Sequence, residues 1–246
     1  MHRFFLPASS FSATEVHFPE SVSRQIVQVL RLKVETEVTV LDGSGQEYAV
    51  RLTSVDAHLC VGVIESNQPC LNEPETQIDL YLCLTQREKF EWILQKCTEL
   101  GVSRFVPVIS SRSLVQEEKD FVKKLERWQK IIQEAAEQSH RARVPGIVPP
   151  LHFREALQQA AAEGRCRLIP WEEEHSLSLH AALQRHPQEH YAVLIGPEGG
   201  FSPEEVGLAQ AAGFLSVTLG PRILRMETAA MTAVALILYD QGEMDA

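Results

Sequence analysis

Short runs in which apolar and polar residues alternate dominate the first seventy residues. Such runs lie at 38–40, 48–52 and 59–63, and an Asp42-Gly43 turn signal separates the first two. A period of two residues is typical of strands with one buried face. Between residues 22 and 30 the apolar residues fall instead at helical spacing. The pattern predicts a compact, strand-rich module with one helix.

The stretch from Ser66 to Gln77 interrupts this pattern. It contains two prolines, two asparagines and few residues that would pack in a core. Because such a composition is typical of a linker, we expect a first domain at residues 1–70 and a second at residues 76–246.

Strand-like and helix-like patterns alternate through the second domain. Apolar runs of strand length lie at 78–84, 105–109, 167–169, 191–195 and 215–219. Helical spacing marks residues 90–100, which Gly101 would cap, and a stretch from about Asp120 to Gln138. This alternation predicts an α/β fold with a mainly parallel sheet.

Composition limits the class of protein. The chain is 246 residues long and 44% hydrophobic, which is ordinary for a folded globular protein. Its five cysteines form no Cys-x-x-Cys pair, so neither a disulfide framework nor a zinc knuckle is expected. The longest apolar stretch, residues 229–239, is too short to cross a bilayer. We therefore expect a cytoplasmic protein that binds neither a metal nor a membrane.

The net charge of −10 would disfavour a nucleic-acid binder, since phosphate contacts supply most of the affinity in such complexes. The charges are unevenly distributed, however. Residues 87–143 carry twelve basic and nine acidic side chains, whereas residues 144–246 carry six basic and thirteen acidic ones. The middle segment can therefore still present a basic face to RNA, although a solvated charged surface explains the same pattern.

A glycine-rich loop, Gly196-Pro197-Glu198-Gly199-Gly200, directly follows the apolar run at 191–195. Ligands in open α/β sheets bind outside the carboxyl ends of the strands, so this loop is a candidate binding site. A strong helix start follows, with Ser202 as N-cap, Pro203 at the first helical position and Glu205 completing a capping box. A strand-to-helix turn that binds nothing would have the same features.

The chemistry of this loop argues against a polyphosphate ligand. The loop contains no lysine, and Glu198, Glu204 and Glu205 would repel phosphate groups. The dinucleotide fingerprint Gly-x-Gly-x-x-Gly is absent from the sequence as well. Carboxylates near the loop better suit a neutral or cationic ligand, such as a ribose or a sulfonium.

A second loop follows the strand that ends at Leu219 and includes residues 220–228. Its Arg222 and Arg225 lie three residues apart, and arginine suits bidentate contacts to phosphate or carboxylate and stacking on bases. A pair of surface salt bridges is an equally simple explanation. Glu227 also has an ordinary explanation, because the helix dipole favours a carboxylate in a first turn.

Other catalytic patterns are absent from the sequence. It contains no His-Glu-x-x-His zinc motif and no Gly-x-Ser-x-Gly nucleophile elbow. We expect Trp128 and Trp171 to be core or partly buried residues, and His175 and His180 to be surface residues. The sequence therefore supports neither metal nor nucleophilic catalysis.

Taken together, the segments LIGPEGGFSPEE (194–205) and LGPRILRMETAAMTA (219–233) closely resemble the RsmE family of SPOUT-class methyltransferases. Three further segments resemble this family in the same order along the chain, at residues 29–38, 91–102 and 126–141. The resemblance covers nearly the whole chain, and two long motifs at the family's separation are far more specific than either loop alone.

This resemblance implies a fold, a reaction and partners. Residues 1–70 would form a PUA-like RNA-binding β-barrel, and residues 76–246 a SPOUT α/β domain with a C-terminal trefoil knot. The protein would be a homodimer that uses S-adenosylmethionine to methylate N3 of a uridine in 16S rRNA or the 30S subunit, at position 1498 in the family. A SPOUT methyltransferase with another rRNA target, or a non-catalytic RNA-binding protein with a degenerate pocket, remains an alternative.

The resemblance also assigns site residues. The expected cofactor contacts lie in both loops: Leu194, Ile195, Gly196, Pro197, Glu198, Gly199, Leu219, Gly220, Ile223, Leu224 and Thr228. Arg222, Arg225 and Glu227 match polar residues of the family motif and are expected to be catalytic. Met226 departs from the family, which usually has threonine there, so any role of that hydroxyl must be dispensable in this chain.

Methylation at N3 requires the loss of the proton that uridine carries there at neutral pH. Glu227 could accept this proton as a general base, or Arg222 or Arg225 could stabilise negative charge that develops on the uracil carbonyl oxygens. We prefer the arginines, because a carboxylate is a weak base for this proton. The expected RNA-facing residues are basic: Arg31, Lys33, Lys123, Lys124, Arg127, Lys130, Arg141 and Arg143.

Overall fold

The computed structural model describes residues 2–113, 121–186 and 189–245. The chain divides into two compact units. The first contains residues 1–73 and 136–144, and the second contains residues 74–135 and 145–246. Within the described residues, none of the helices is long and apolar enough to cross a membrane.

A five-stranded sheet forms the first unit. Its strands are β1 (Arg3–Phe5), β2 (Glu15–His17), β3 (Glu37–Leu41), β4 (Gln46–Ser54) and β5 (Val61–Pro69). They are ordered β1-β3-β4-β5-β2, with β1 and β3 parallel and the other pairs antiparallel. Apolar side chains such as Phe18, Val40 and Leu52 form one buried core. The strand-rich module expected from the alternating pattern is confirmed.

Two details of this unit correct the sequence-based expectation. Residues 66–69, expected in the linker, continue β5, because they pair with residues 46–49 of β4. Leu59, expected in a strand, precedes β5 and is 46% exposed. The pairing of residues 66–69 was not visible in the sequence because their side chains are polar and leave no apolar alternation.

The helix expected between residues 22 and 30 is present, but only its first part is an α-helix. A 3-10 turn lies earlier, at Ala8–Ser10, and α1 (Glu20–Arg24) passes directly into a π-helix at Gln25–Leu30. A π turn is wider than an α turn and rotates the residues that follow away from the face that α spacing predicts. Val29 is consequently 72% exposed.

The second unit contains a parallel sheet. Its strands are β6 (Gln77–Cys83), β7 (Arg104–Ile109), β8 (Gly146–Ile147), β9 (Leu151–His152), β10 (Cys166–Pro170), β11 (His190–Ile195) and β12 (Leu215–Val217). Their order is β12-β10-β11-β6-β7-β8, and β9 also pairs with β7. All of these pairs are parallel, which confirms the predicted α/β class.

The described part of the chain after β6 contains six helices. They are α2 (Arg87–Leu100), α3 (Phe121–Gln138), α4 (Phe153–Ala162), α5 (Leu179–Arg185), α6 (Pro203–Ala211) and α7 (Met226–Asp240). As expected, α2 ends at Gly101, whose φ of 124° is favourable only for glycine. The helix expected from about Asp120 is α3, and Asp120 itself lies outside the described residues.

The order of the strands determines where a ligand can bind. β10 pairs with both β11 and β12, so the carboxyl ends of three neighbouring strands lie at one edge of the sheet. The loops that follow these strands therefore open at the same place. α7 packs against α2 and β11, and its small residues Ala230 and Ala233 are fully buried.

Candidate active site

A cavity of about 550 Å³ lies at the carboxyl ends of β10, β11 and β12. Residues of three loops line it, within 170–175 after β10, 195–201 after β11 and 218–227 after β12. Gln86 and Lys89, at the start of α2, and Ala229 in α7 complete the lining. This volume lies within the usual range of small-molecule sites, about 300–1,000 Å³.

The glycine-rich loop after β11 is held on several sides. The Gly200 N–H donates to the Pro197 carbonyl at 2.9 Å and closes a turn. Arg112 Nη1 donates to the Gly199 carbonyl at 3.0 Å. Gly200 has a φ of 65°, and a Cβ at this position would overlap the carboxylate of Glu172. Position 200 therefore favours glycine for its backbone conformation, and any larger residue would also have to push the flexible Glu172 side chain aside.

An ion pair joins this loop to α2. Lys89 binds the carboxylate of Glu198, and both residues line the cavity. The pairing offsets part of the negative charge that the sequence places in the loop.

The start of α6 has the predicted capping box. Ser202 Oγ accepts the Glu205 N–H at 3.2 Å, and the Glu205 carboxylate accepts the Ser202 N–H at 3.0 Å. The other carboxylate oxygen of Glu205 accepts the Ser111 N–H at 2.9 Å. Glu205 is buried, so its charge stabilises two backbone segments and does not face the cavity.

The loop after β12 brings the expected catalytic residues together. Arg222, Arg225 and Glu227 all line the cavity, and the latter two lie at the N-cap and in the first turn of α7. Both arginines are exposed, and within the described residues neither guanidinium forms a salt bridge or hydrogen bond. The alternative explanation, a pair of surface salt bridges, therefore has no support here. Met226 is buried as the first residue of α7.

Two buried polar atoms of the cavity lining have no hydrogen-bond partner among the described residues. One is the acceptor Glu227 Oε2 and the other is the donor Trp171 Nε1. Leaving a buried polar group without a partner costs about 1–3 kcal/mol, and buried polar groups in proteins are nearly always satisfied. A ligand in the cavity could satisfy both atoms by offering an acceptor to Trp171 and a donor to Glu227.

The loop after β10 is ordered by a hydrogen bond to β12 and by bonds within the loop. The Trp171 N–H donates to the Val217 carbonyl at 3.0 Å. The carboxylate of Glu174 accepts the Ser176 hydroxyl at 2.5 Å and the Ser176 N–H at 2.7 Å. These bonds, the hydroxyl first, lower the pKa of Glu174 to about 2. The carboxylate therefore stays ionised at neutral pH and holds the loop in place.

Most of the expected cofactor contacts line the cavity: Ile195, Gly196, Pro197, Glu198, Leu219, Gly220, Ile223 and Leu224. Three of them lie elsewhere. Leu194 is buried in the core, the Gly199 carbonyl accepts a bond from Arg112, and Thr228 is exposed on α7.

The predicted site residues lack every lining residue outside the two glycine loops and α7: Gln86, Lys89, Pro170, Trp171, Glu172 and His175. Trp171 is partly buried and His175 is exposed, as expected, but both also line the cavity. No local motif marks these residues. They would have been found only from the strand order, which places the loop after β10 beside the two glycine loops.

The expected RNA-facing residues occur in both units. Those that are exposed are Arg31, Lys33, Lys123, Arg127, Lys130 and Arg143, while Lys124 is partly buried. Arg127 forms an ion pair with Glu91 at 2.5 Å. Arg141 corrects the expectation, because its side chain is only 3% exposed and pairs with Glu73 inside the first unit.

Within the described residues, no group of His, Cys, Asp and Glu side chains could hold a metal ion.

Comparison with known protein families gives two matches. Residues 72–238 match a family described as an RNA methyltransferase domain. Residues 24–65 match a family described as an RNA methyltransferase PUA domain, which confirms the PUA-like module expected in the first part of the chain.

Two curated relatives with the same name are similar to most of this chain. Ribosomal RNA small subunit methyltransferase E of Bacillus subtilis is 34% identical over 243 residues, covering 95% of this chain and 90% of the relative. The protein of the same name from Synechocystis sp. is 37% identical over 211 residues, covering 85% of this chain and 68% of the relative.

Two solved structures of methyltransferases have a fold similar to that of this chain. Ribosomal RNA small subunit methyltransferase E from Neisseria gonorrhoeae, bound to S-adenosyl methionine, has a TM-score of 0.88 and 34% identity over 97% of each chain. A methyltransferase from Legionella pneumophila, in complex with the cofactor SAM, has a TM-score of 0.86 and 29% identity over 96% of each chain.

Proposed function

The chain belongs to the ribosomal RNA small subunit methyltransferase E family, and from this premise we propose that it methylates N3 of a uridine in 16S rRNA, at the position equivalent to uridine 1498. S-adenosylmethionine is the proposed methyl donor. The observation that carries the proposal is the cavity. The loops that follow β10, β11 and β12 meet there. The cavity contains two arginines that have no ion-pair partner among the described residues, and a carboxylate oxygen of Glu227 that has no hydrogen-bond partner among them.

The lining of the cavity fits S-adenosylmethionine, the ligand named for both solved relatives. Ile195, Leu219 and Leu224 offer apolar surface to an adenine ring. The carboxylates of Glu198 and Glu227 favour a cationic sulfonium over a polyphosphate. When bound, this cofactor supplies a methyl group that is already activated, so the protein mainly has to position the two reactants.

The polar residues of the lining are suited to act on the uracil ring. Arg222 and Arg225 would stabilise the negative charge that develops on its carbonyl oxygens as the N3 proton leaves. Glu227, with one carboxylate oxygen unpartnered, is the alternative acceptor of that proton. We assign charge stabilisation to the arginines because neither is engaged with another described residue.

Basic residues of both units are the proposed RNA contacts. Arg31 and Lys33 lie at the end of the π-helix in the PUA module, and Lys123 and Lys130 lie on α3. All four side chains are exposed. Contacts of lysine and arginine with phosphate give affinity without sequence specificity, so the choice of uridine would be made in the cavity.

A homodimer is also proposed, since large apolar side chains are exposed on two packed helices. Trp92 on α2 is 42% exposed, and Leu236 and Tyr239 on α7 are 42% and 68% exposed. Exposed apolar patches of this kind often mark protein interfaces. Analytical ultracentrifugation should show two chains for the wild type and dissociation for Leu236→Glu. A wild-type protein that sediments as a single chain at micromolar concentration would refute the dimer.

We further propose that the C-terminal segment forms a trefoil knot. The chain returns after β11 to place β12 beside β10. The Thr218 N–H donates to the Leu177 carbonyl at 2.9 Å, and the Leu179 N–H donates to the Thr218 carbonyl at 3.1 Å. α7 then passes back to α2. Pulling both termini in an optical trap should give an unfolded length shorter than a linear chain allows, whereas full extension would refute the knot.

Mass-spectrometric mapping of methylated RNA tests the proposed reaction. Unmethylated 30S subunits and protein-free 16S RNA would each be incubated with the protein and labelled S-adenosylmethionine. A single new N3-methyluridine is the expected product. Label on another atom would refute the N3 assignment but keep a methyltransferase. No label and no cofactor binding would favour the non-catalytic RNA-binding alternative.

A further inference from the structure

We propose that Trp171 binds the cofactor, its indole N–H donating a hydrogen bond to the adenosine part of S-adenosylmethionine. The inference rests on the proposed function. Trp171 lies outside both glycine loops. The sequence alone predicted only a core or partly buried tryptophan at this position.

The first observation is the unsatisfied donor. Trp171 Nε1 is buried, lines the cavity and has no partner among the described residues. An indole N–H can only donate, and buried tryptophans usually find an acceptor. An acceptor on a bound ligand would remove the cost of leaving this donor unpaired.

The second observation is the rigidity of the loop that carries Trp171. Its backbone N–H donates to Val217 at 3.0 Å, and its carbonyl accepts the Glu174 N–H at 3.2 Å. The Glu174 carboxylate in turn binds the backbone and hydroxyl of Ser176. These bonds hold the backbone of the loop, and the packing of Trp171 against the core of the second unit holds its ring, so the donor is preorganised for a ligand.

The chemistry of the surroundings favours adenosine as the acceptor. Trp171 follows Pro170 and packs against the hydrophobic core of the second unit. The charged groups of the lining lie on other residues: the carboxylates of Glu172, Glu198 and Glu227, and the cations Arg222, Arg225 and Lys89, the last of which pairs with Glu198. These cations suit the methionine carboxylate and the RNA. A neutral donor beside apolar surface suits the uncharged acceptors of adenine and ribose.

A single substitution separates the hydrogen bond from the packing of the ring. Trp171→Phe keeps an aromatic ring and removes the N–H, and Trp128→Phe, at a buried tryptophan of α3 outside the cavity lining, is the matched control. Isothermal titration calorimetry would use two ligands, S-adenosylhomocysteine and methylthioadenosine, which lacks the amino-acid part. We expect Trp171→Phe to weaken both ligands by about 5- to 20-fold and Trp128→Phe to leave both unchanged.

The wild-type protein offers a measurement that does not depend on the folding of a variant. The chain has three tryptophans, so a ¹⁵N spectrum shows three indole N–H signals, and that of Trp171 should move downfield on addition of methylthioadenosine. Unchanged affinity of Trp171→Phe, or a Trp171 signal that does not move, would overturn the inference. So would weakening of S-adenosylhomocysteine alone, which would assign the bond to the methionine part. A wild type that binds neither ligand would defeat the proposed function itself.

Discussion

The carboxylate of Glu205 accepts the backbone N–H of Ser111 at 2.9 Å, although the two residues are 94 positions apart. The same carboxylate accepts the Ser202 N–H and caps α6. One buried side chain thus joins the turn after β7 to the helix that follows the glycine-rich loop. The geometry of that loop therefore depends on a bond to a distant part of the second unit.

Replacing Glu205 with glutamine should lower the free energy of unfolding by about 1.5–3 kcal/mol, because an amide cannot accept N–H groups on both of its terminal atoms. Urea denaturation measures the change. Glu204→Gln is the matched control, since Glu204 is an exposed neighbour in the same helical turn, and the loss of its charge at the helix start should cost only about 0.3–1 kcal/mol. Equal denaturation midpoints for the two variants would show that the buried bonds do not stabilise the fold.

Gly200→Ala should weaken cofactor binding and destabilise the protein. A residue with a side chain is strained at a φ of 65°, at a cost of about 1–3 kcal/mol, and its Cβ would displace Glu172 from the cavity wall. Gly207→Ala is the control, because Gly207 lies in α6 with open space around it. Alanine there should stabilise the helix by about 0.5–1 kcal/mol. Thermal denaturation and cofactor titration of both variants would test the contrast, and similar behaviour would contradict it.

Apolar runs and helical spacing predicted most elements of the second unit to within a few residues. Residues 78–84 and 191–195 correspond to β6 and β11, because strands buried on both faces are continuously apolar. The order of the strands could not be predicted in this way. β12 lies beside β10 although α5, β11 and α6 separate them in the chain, and this placement brings Trp171 to the cavity.

Long-range ion pairs also escaped prediction from the sequence. Arg141 looks like an exposed cation in a basic segment, but it pairs with Glu73, 68 positions earlier in the chain, and is buried. Lys89 similarly pairs with Glu198, 109 positions later. A local pattern contains no information about such partners, whereas the capping box of α6 lies within four residues and was predicted correctly.

Arg225→Ala should reduce methyl transfer by about 100- to 1,000-fold and leave the affinity for S-adenosylmethionine nearly unchanged. The reason is that the guanidinium, exposed in the cavity and unpaired within the described residues, would act on the uracil and not on the cofactor. Single-turnover rates and cofactor titration separate the two effects. Arg185→Ala, on the exposed surface of α5, controls for the loss of a positive charge. Parallel loss of rate and cofactor affinity would assign Arg225 to the cofactor instead.

Charge reversal on α3 tests the proposed RNA contacts. Lys123→Glu should weaken binding to 16S rRNA and make the plot of log affinity against log salt concentration less steep by about one unit. Filter binding between low and moderate salt measures this slope. Lys96→Glu is the control, since Lys96 lies on α2 and binds Glu99 at 2.8 Å. An unchanged slope for Lys123→Glu would remove α3 from the RNA interface.

Glu174 should make the stability of the cavity loop depend on pH. Hydrogen bonds from Ser176 lower its pKa to about 2 from the usual 4.5. Because the pKa is lower in the folded state, these bonds stabilise the protein fully above about pH 4.5, and their contribution is lost as the pH falls from there toward 2.

Glu174→Gln should therefore be less stable than the wild type at pH 7, and the difference should shrink below pH 4.5. Urea denaturation at pH 7, 5, 4 and 3 measures this difference, with Glu173→Gln as the exposed neighbouring control. A difference between wild type and Glu174→Gln that stays constant down to pH 3 would mean that the Glu174 charge does not hold the loop.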